Sequence, residues 1–265
     1  MDHGVGTDHE VEPAEVAHVL AVDEHVDVPA QRPGLVPNPG AELRPGDHRR
    51  VQNGPQRRAA TANRHDELTG PNVFVTRTAL HRVTPARLAA EADIWRDRFA
   101  AYPRPLVAVL LGGSNGRYRL DKTEGGRLAA DLAAMMRRDG VGVVVTPSRR
   151  TDPAVTRLLR DALTPLGGWV WDFIGENPYF GMLALADMII VTQDSVSMIS
   201  EAAATTAPVM FVPLPGQSRR QSLFIQVMVN EDRIRPFAGR FAPWPVSPLN
   251  DTPDAAAEMR HRLAL

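Results

Sequence analysis

The run Leu106-Val107-Ala108-Val109-Leu110-Leu111-Gly112-Gly113-Ser114 decides how the rest of the chain is read. Six apolar residues without alternation, closed by a glycine pair, describe a strand buried on both faces. The same pattern then recurs with helical stretches between. Residues 123–138 have helical patterning, and the valine-rich segment 141–145 ends at Thr146-Pro147-Ser148-Arg149-Arg150. Asp152-Pro153 opens a helix to about Leu163, residues 169–173 form a third strand candidate, and Asn177-Pro178 opens a helix through Leu185. Met188–Thr192 is a fourth strand, 195–206 a helix, Val209–Val212 a fifth strand, and 218–232 a further helix. Strands that alternate with helices need crossovers, so the expected architecture is α/β with a doubly wound parallel sheet.

Working outward, Thr84-Pro85 reads as an N-cap followed by proline at the first helical position, within a helical stretch 80–100. Leu88, Ala92, Trp95 and Phe99 recur at spacings of three and four, which gives that helix one buried face. A short apolar segment, 72–76, precedes it, and residues 254–265 pattern as a closing helix.

Composition changes near residue 64. No Phe, Trp, Tyr or Ile occurs before Phe74, while Pro and Gly recur and five of the eight histidines fall within residues 1–48. A segment so poor in large apolar groups does not offset the entropy of ordering its backbone. Residues 1–64 are therefore expected to be a disordered or out-of-frame segment. Residues 65–104 read as an inter-domain strand and helix, and 105–265 as the α/β domain. His3, His9, His18 and His25 lie near carboxylates, but their spacing makes no i,i+4 ligand pair, and no metal site is expected.

The whole chain has 265 residues, with 30 basic and 31 acidic side chains and a formal net charge of -1. No bulk field invites a polyanion, so nucleic acid is not an expected partner. Cysteine is absent, which removes disulfides, zinc–thiolate sites, iron–sulfur clusters and thiol nucleophiles together. A reducing, cytoplasmic setting fits that absence. No apolar run reaches the roughly 18 residues of a membrane span, and the N-terminus lacks the pattern of a secretion signal. A single lysine, Lys122, among the 30 basic residues points to a bacterial source.

In a doubly wound sheet, ligands bind outside the carboxyl ends of the strands where the strand order reverses. The residues there are Gly112, Gly113, Ser114 and Asn115 after the first strand, Ser148, Arg149 and Arg150 after the second, and Gln193 to Ser197 after the fourth. Gly112-Gly113 serves either as a tight turn or as a place where backbone N–H groups approach a phosphate. It lacks the G-x-G-x-x-G spacing, so a nicotinamide or flavin dinucleotide is set aside. Arg149 and Arg150 are either a solvated pair or a guanidinium fork for a diphosphate. Asp194 or Ser195 would cap the next helix. Glu201 has no capping-box partner, because Met198 stands where Ser or Thr would be needed. Ser197 and Glu201 share one helix face, an arrangement that suits a phosphate at the helix end and sugar hydroxyls one turn on.

These residues, with 186–192, 195–202, 208–213 and Gln221, resemble the nucleotide-binding half of GT-B glycosyltransferases, such as the transferase that makes peptidoglycan lipid II. A closer resemblance is to the mitochondrial fission ELM (elongated mitochondria) family, whose bacterial members are often described as nucleoside-diphosphate-sugar epimerases or GT-B-like proteins. It rests on seven ordered stretches within residues 65–255: 68–73, Leu80-His81-Arg82-Val83-Thr84, 146–151, Asn177-Pro178-Tyr179, 192–202, Ile234-Arg235-Pro236-Phe237 and Pro248-Leu249-Asn250-Asp251-Thr252. The resemblance implies that Glu201 holds a nucleotide ribose, that Ser195 and Ser197 receive a diphosphate, and that Gln221 touches the donor sugar. Asp194 departs from the GT-B pattern. Its charge would repel a diphosphate unless an arginine or a divalent ion intervenes, and Arg149 or Arg150 could compensate.

The resemblance also implies a preceding acceptor domain, which residues 1–64 do not read as, so a truncated protein is expected. Three functions stay open: a nucleotide-sugar enzyme of the glycosyltransferase or epimerase type, a scaffold that recruits a protein partner, and a silent nucleotide binder. No cofactor is firmly implied beyond a nucleoside-diphosphate sugar as ligand.

Overall fold

A computed structural model describes residues 59–264. The expectation for residues 1–64 lies outside that range apart from 59–64, as do His3, His9, His18 and His25. The described residues divide into two compact units, 59–75 together with 253–264, and Thr76–Thr252.

In the first unit β1 (Ala60–Asn63) pairs with β2 (Val73–Thr76), and the Ala60 N–H donates to the Asn72 carbonyl at 2.8 Å. β1 thus stands before the composition break, within residues expected to be disordered. A helix over Thr252–Leu263 closes the chain, and the Arg262 guanidinium donates to the Pro71 carbonyl at 3.1 Å.

The second unit holds a six-stranded sheet. Its elements are α1 (Pro85–Phe99), β3 (Leu106–Leu111), α2 (Lys122–Asp139), β4 (Gly142–Pro147), α3 (Pro153–Leu163), β5 (Trp169–Val170) and α4 (Tyr179–Leu185), then β6 (Met188–Thr192), α5 (Val196–Ala203), β7 (Val209–Val212), α6 (Arg219–Asn230) and β8 (Ile234–Pro236). The strand order is β5-β4-β3-β6-β7-β8 and every pairing is parallel. Val107 sits between Val143 of β4 and Met188 of β6. The chain winds outward from β3 to β5, and α4 then carries it back across β3 to β6. Strand order therefore reverses between β3 and β6, as a doubly wound sheet requires.

Burial follows the strand period. Val107, Val109 and Leu111 face Leu128 and Leu132 of α2 and Val155 and Leu159 of α3, whereas Leu106, Ala108 and Leu110 face Trp95 and Phe99 of α1, Met182 of α4, Ile199 of α5 and Phe224 of α6. With both faces covered, an uninterrupted apolar strand is the stable solution. Helix α1, expected in a connecting segment, packs on α4 within this same unit. Its start is fixed as read: the Thr84 hydroxyl accepts the Arg87 N–H at 3.1 Å and Pro85 takes the first turn.

Two strands differ from expectation. β5 is only two residues long, although the Trp171 N–H still donates to the Val145 carbonyl, and the chain takes a positive φ of 66° at Phe173. β8 was not anticipated as a strand: only Ile234 of its three residues is buried, so no apolar run marks it.

Candidate functional site

The expected site residues fall into separate groups on the rim formed by the carboxyl ends of the strands. The first fills the point of reversal. Thr192, at the end of β6, accepts the Gly112 N–H at 2.7 Å and donates its hydroxyl to Asp194 Oδ1 at 2.7 Å. Asp194 Oδ2 accepts the Gly113 N–H at 3.0 Å and the Arg150 guanidinium at 3.1 Å. The Gly112 carbonyl in turn accepts the Ser148 hydroxyl at 2.7 Å and the Thr151 hydroxyl. Loops after β3, β4 and β6 are thereby tied together around one buried carboxylate.

This network explains the glycines. A Cβ on Gly112 would overlap the Asp194 carboxylate, and one on Gly113 would overlap the Arg150 backbone carbonyl. Their missing side chains admit protein groups, and their amides serve Thr192 and Asp194. The charge of Asp194 is met by Arg150, while Arg149 is exposed. Ser195, not Asp194, caps α5 by accepting the Met198 N–H at 3.3 Å.

A second group arches over the end of β6. Ser114 accepts the Leu120 N–H at 2.9 Å, and the loop continues to Tyr118, which bridges Gly216 in the loop after β7. Gly216, at a φ of 139°, leaves room there for the Arg117 carbonyl. Gln193 donates to the Tyr118 hydroxyl at 3.3 Å, and buried Gln221 donates to the Gln193 carbonyl. A depression of about 300 Å³ lies on this arch, lined by Asn115 to Arg119, Pro215 and Gly216. None of Gly112, Arg150, Asp194 or Glu201 lines it.

The third group surrounds Glu201, the sixth residue of α5. Tyr179, the first residue of α4, donates its hydroxyl to Glu201 Oε2. Its backbone N–H is held by the Asn177 side chain at 3.0 Å, so Asn177 fixes the start of α4 although it stands one residue before the cap. The Tyr179 ring meets Phe180 edge-on at 5.4 Å, and Arg87 of α1 lies over the Phe180 ring at 3.6 Å. Burial raises the Glu201 carboxyl above its ordinary value, opposed by the Tyr179 hydrogen bond and by the charges of Arg82 and Arg87. Burial likewise pushes the Tyr179 phenol well up, so it stays a donor at neutral pH. Ser197 is exposed on the first turn of α5, one turn from Glu201. Among the described residues no hydrogen bond or ion pair joins Glu201 to the Asp194 group.

Sequence reasoning singled out Glu201 and Asp194 but missed the hydroxyls of Thr151, Thr192 and Tyr179 and the arginines Arg82 and Arg87. The stretches 80–84, 146–151, 177–179 and 192–202 had contained all but Arg87. Elsewhere in those stretches the role is structural: Asp251 accepts the Arg77 guanidinium and accepts its backbone N–H, clamping the chain before α1. Among the described residues, no cluster of three or more histidine or acidic side chains could hold a metal ion, and no helix is long and apolar enough to cross a membrane.

The strand order, its reversal between β3 and β6 and polar groups gathered on the carboxyl rim define a doubly wound, Rossmann-like α/β protein. The chain belongs to the mitochondrial fission ELM1 family, whose description "Mitochondrial fission ELM1" its residues 59–263 match. It is 36% identical over 202 residues to the mitochondrial fission protein ELM1 of Arabidopsis thaliana, covering 73% of this chain and 46% of the relative. To the uncharacterized protein RP120 of Rickettsia prowazekii it is 28% identical over 183 residues, 67% of this chain and 51% of the relative. The chain spans about half the length of the curated relatives it matches. Among solved structures it is similar to MurG of Acinetobacter baumannii, with 16% identity and a TM-score of 0.38 over 73% of this chain and 58% of that one.

Proposed function

We propose that the protein binds a nucleoside-diphosphate sugar in the manner of a glycosyltransferase, with Glu201 accepting the ribose hydroxyls. The observation that carries this reading is the Glu201 carboxyl itself. One of its oxygens is held by Tyr179 and the other accepts no hydrogen bond among the described residues. An oriented carboxylate with one free oxygen, beside cationic groups and an exposed serine at a helix start, is the chemistry that recognises a diol next to an anion. Ser195 and Ser197 at the start of α5 complete the proposed surroundings, while Gly112, Gly113, Ser148, Arg150 and Asp194 hold the neighbouring loops together. The reading is one of binding, in a bacterial cytoplasm that the absence of cysteine suits. It assigns no catalytic base to residues 59–264.

Thermal unfolding in the presence of UDP, GDP and their sugars tests it. Stabilisation that disappears in Glu201→Ala is the expected result; stabilisation that persists unchanged in the variant removes the ribose role. A second reading, a scaffold for a protein partner, is favoured by the loop after β5, where Phe173 and Ile174 are 49% and 76% exposed. A scaffold would be indifferent to every nucleotide in that assay.

A further inference from the structure

The amides that a phosphate would be expected to find at Gly112 and Gly113 are engaged within the protein, by Thr192 and Asp194. A ligand anion needs another partner. Two cations, Arg82 and Arg87, lie near enough to act on the Glu201 carboxyl. The Arg87 guanidinium lies over the Phe180 ring, whose neighbour Tyr179 holds the Glu201 carboxyl, so guanidinium, ring, phenol and carboxyl form one continuous line of contacts. Arg82 projects from between two buried residues, His81 and Val83, and is exposed. Among the described residues neither arginine is in an ion pair. Helix α1, whose first turn carries Arg87, has no acidic residue in that turn. Two guanidinium groups and the positive end of α1 against one carboxylate leave an excess of positive charge.

We propose that Arg82 and Arg87 hold the diphosphate of the ligand, placing the anion site on the α1 side of Glu201 and not on the glycine loop. This rests on the reading of Glu201 as a ribose acceptor and adds where the phosphates go. Arg87 is suited to the task because its stacking on Phe180 orients the fork before a ligand arrives. The chain that enters α1, read from sequence as a connector, is then part of the binding site.

Calorimetric titration of the full chain with UDP, uridine and inorganic pyrophosphate tests the assignment. Arg82→Gln and Arg87→Gln should each weaken UDP and pyrophosphate by about tenfold or more, the scale of a lost charge-assisted hydrogen bond, and leave uridine nearly unchanged. Both should also flatten the fall of UDP affinity with salt. Arg82 is exposed, so its variant keeps the fold; Arg87→Lys, which retains charge without the planar fork, should recover pyrophosphate only in part. If UDP binding drops in Glu201→Gln but is unchanged in both arginine variants, the arginine assignment is overturned and the ribose reading stands. If the native chain binds neither UDP nor pyrophosphate, both are overturned together.

Discussion

The carboxylate of Asp194 occupies the space that a side chain at Gly112 would take, and the two residues meet where the strand order reverses. Glycine is needed at 112 because a buried, fully bonded acid lies against its Cα. Gly112→Ala should therefore destabilise the chain by about 1–3 kcal/mol, as overpacking does. Asp194→Ala removes the acceptor for the Gly113 amide, the Thr192 hydroxyl and Arg150, and should cost roughly 3 kcal/mol. Urea unfolding of the variants measures both, and a cost below about 0.5 kcal/mol in either would mean that the network does not hold the loops.

Arg233 is buried without a carboxylate partner and donates to four main-chain carbonyls, those of Ala202, Ala203, Thr205 and Ala207, at 2.8 to 3.2 Å. It closes the carboxyl end of α5, the helix that carries Glu201, and burial draws its pKa down to about 10. Arg233→Met, similar in reach but without donors, should cost about 2–4 kcal/mol because the carbonyls lose their partner. Hydrogen exchange should locate the loosening in α5 and the turn to β7. Uniform protection with native stability would show that the carbonyls need no such cap.

Much of the fold was legible because its strands are buried on both faces. β3, β6 and β7 have the bounds read from their apolar runs, since no polar residue could stand inside them. β8 was illegible for the converse reason: at the sheet's edge, Ile234 is buried while Arg235 and Pro236 are exposed. The site was legible one residue at a time. Glu201 stood out because its own helix does not use it, but its partner Tyr179 is 22 positions away on another helix and meets it only through packing. Gly112 and Gly113 could be read as phosphate-facing or as space for protein, and only the position of Asp194 and Arg150 distinguishes the two.

His81 connects stability to pH. Burial lowers its pKa from 6.5 to about 4, and its Nδ1 accepts the Val83 N–H at 3.3 Å, which requires the neutral ring. Between those two values the unfolded chain binds a proton that the folded chain does not, so stability rises with pH there. Acidifying from 6.5 to 4 should cost up to about 3 kcal/mol. His81→Asn, which keeps the acceptor without titrating, should flatten that part of the stability profile; an unchanged slope would assign it to other groups.

The hydrogen bond from Tyr179 favours the charged form of Glu201, whereas burial opposes it. Tyr179→Phe keeps the ring against Phe180 and removes that bond, so the Glu201 carboxyl should titrate at a higher pH. On the proposed reading nucleotide binding needs the carboxylate, and it should then begin to fail at a higher pH on acidification than in the native chain. A titration of the carboxyl by carbon NMR reads the shift directly, and a value that stays put would mean the phenol does not tune it.

The proposed ribose contact is tested most directly by calorimetric titration of UDP and 2′-deoxy-UDP into the native chain and Glu201→Gln. The account predicts that the native chain prefers UDP by about tenfold, the scale of one charged hydrogen bond, and that the preference disappears in the variant. Equal affinity for the two nucleotides in the native chain, or a preference that survives Glu201→Gln, would contradict it.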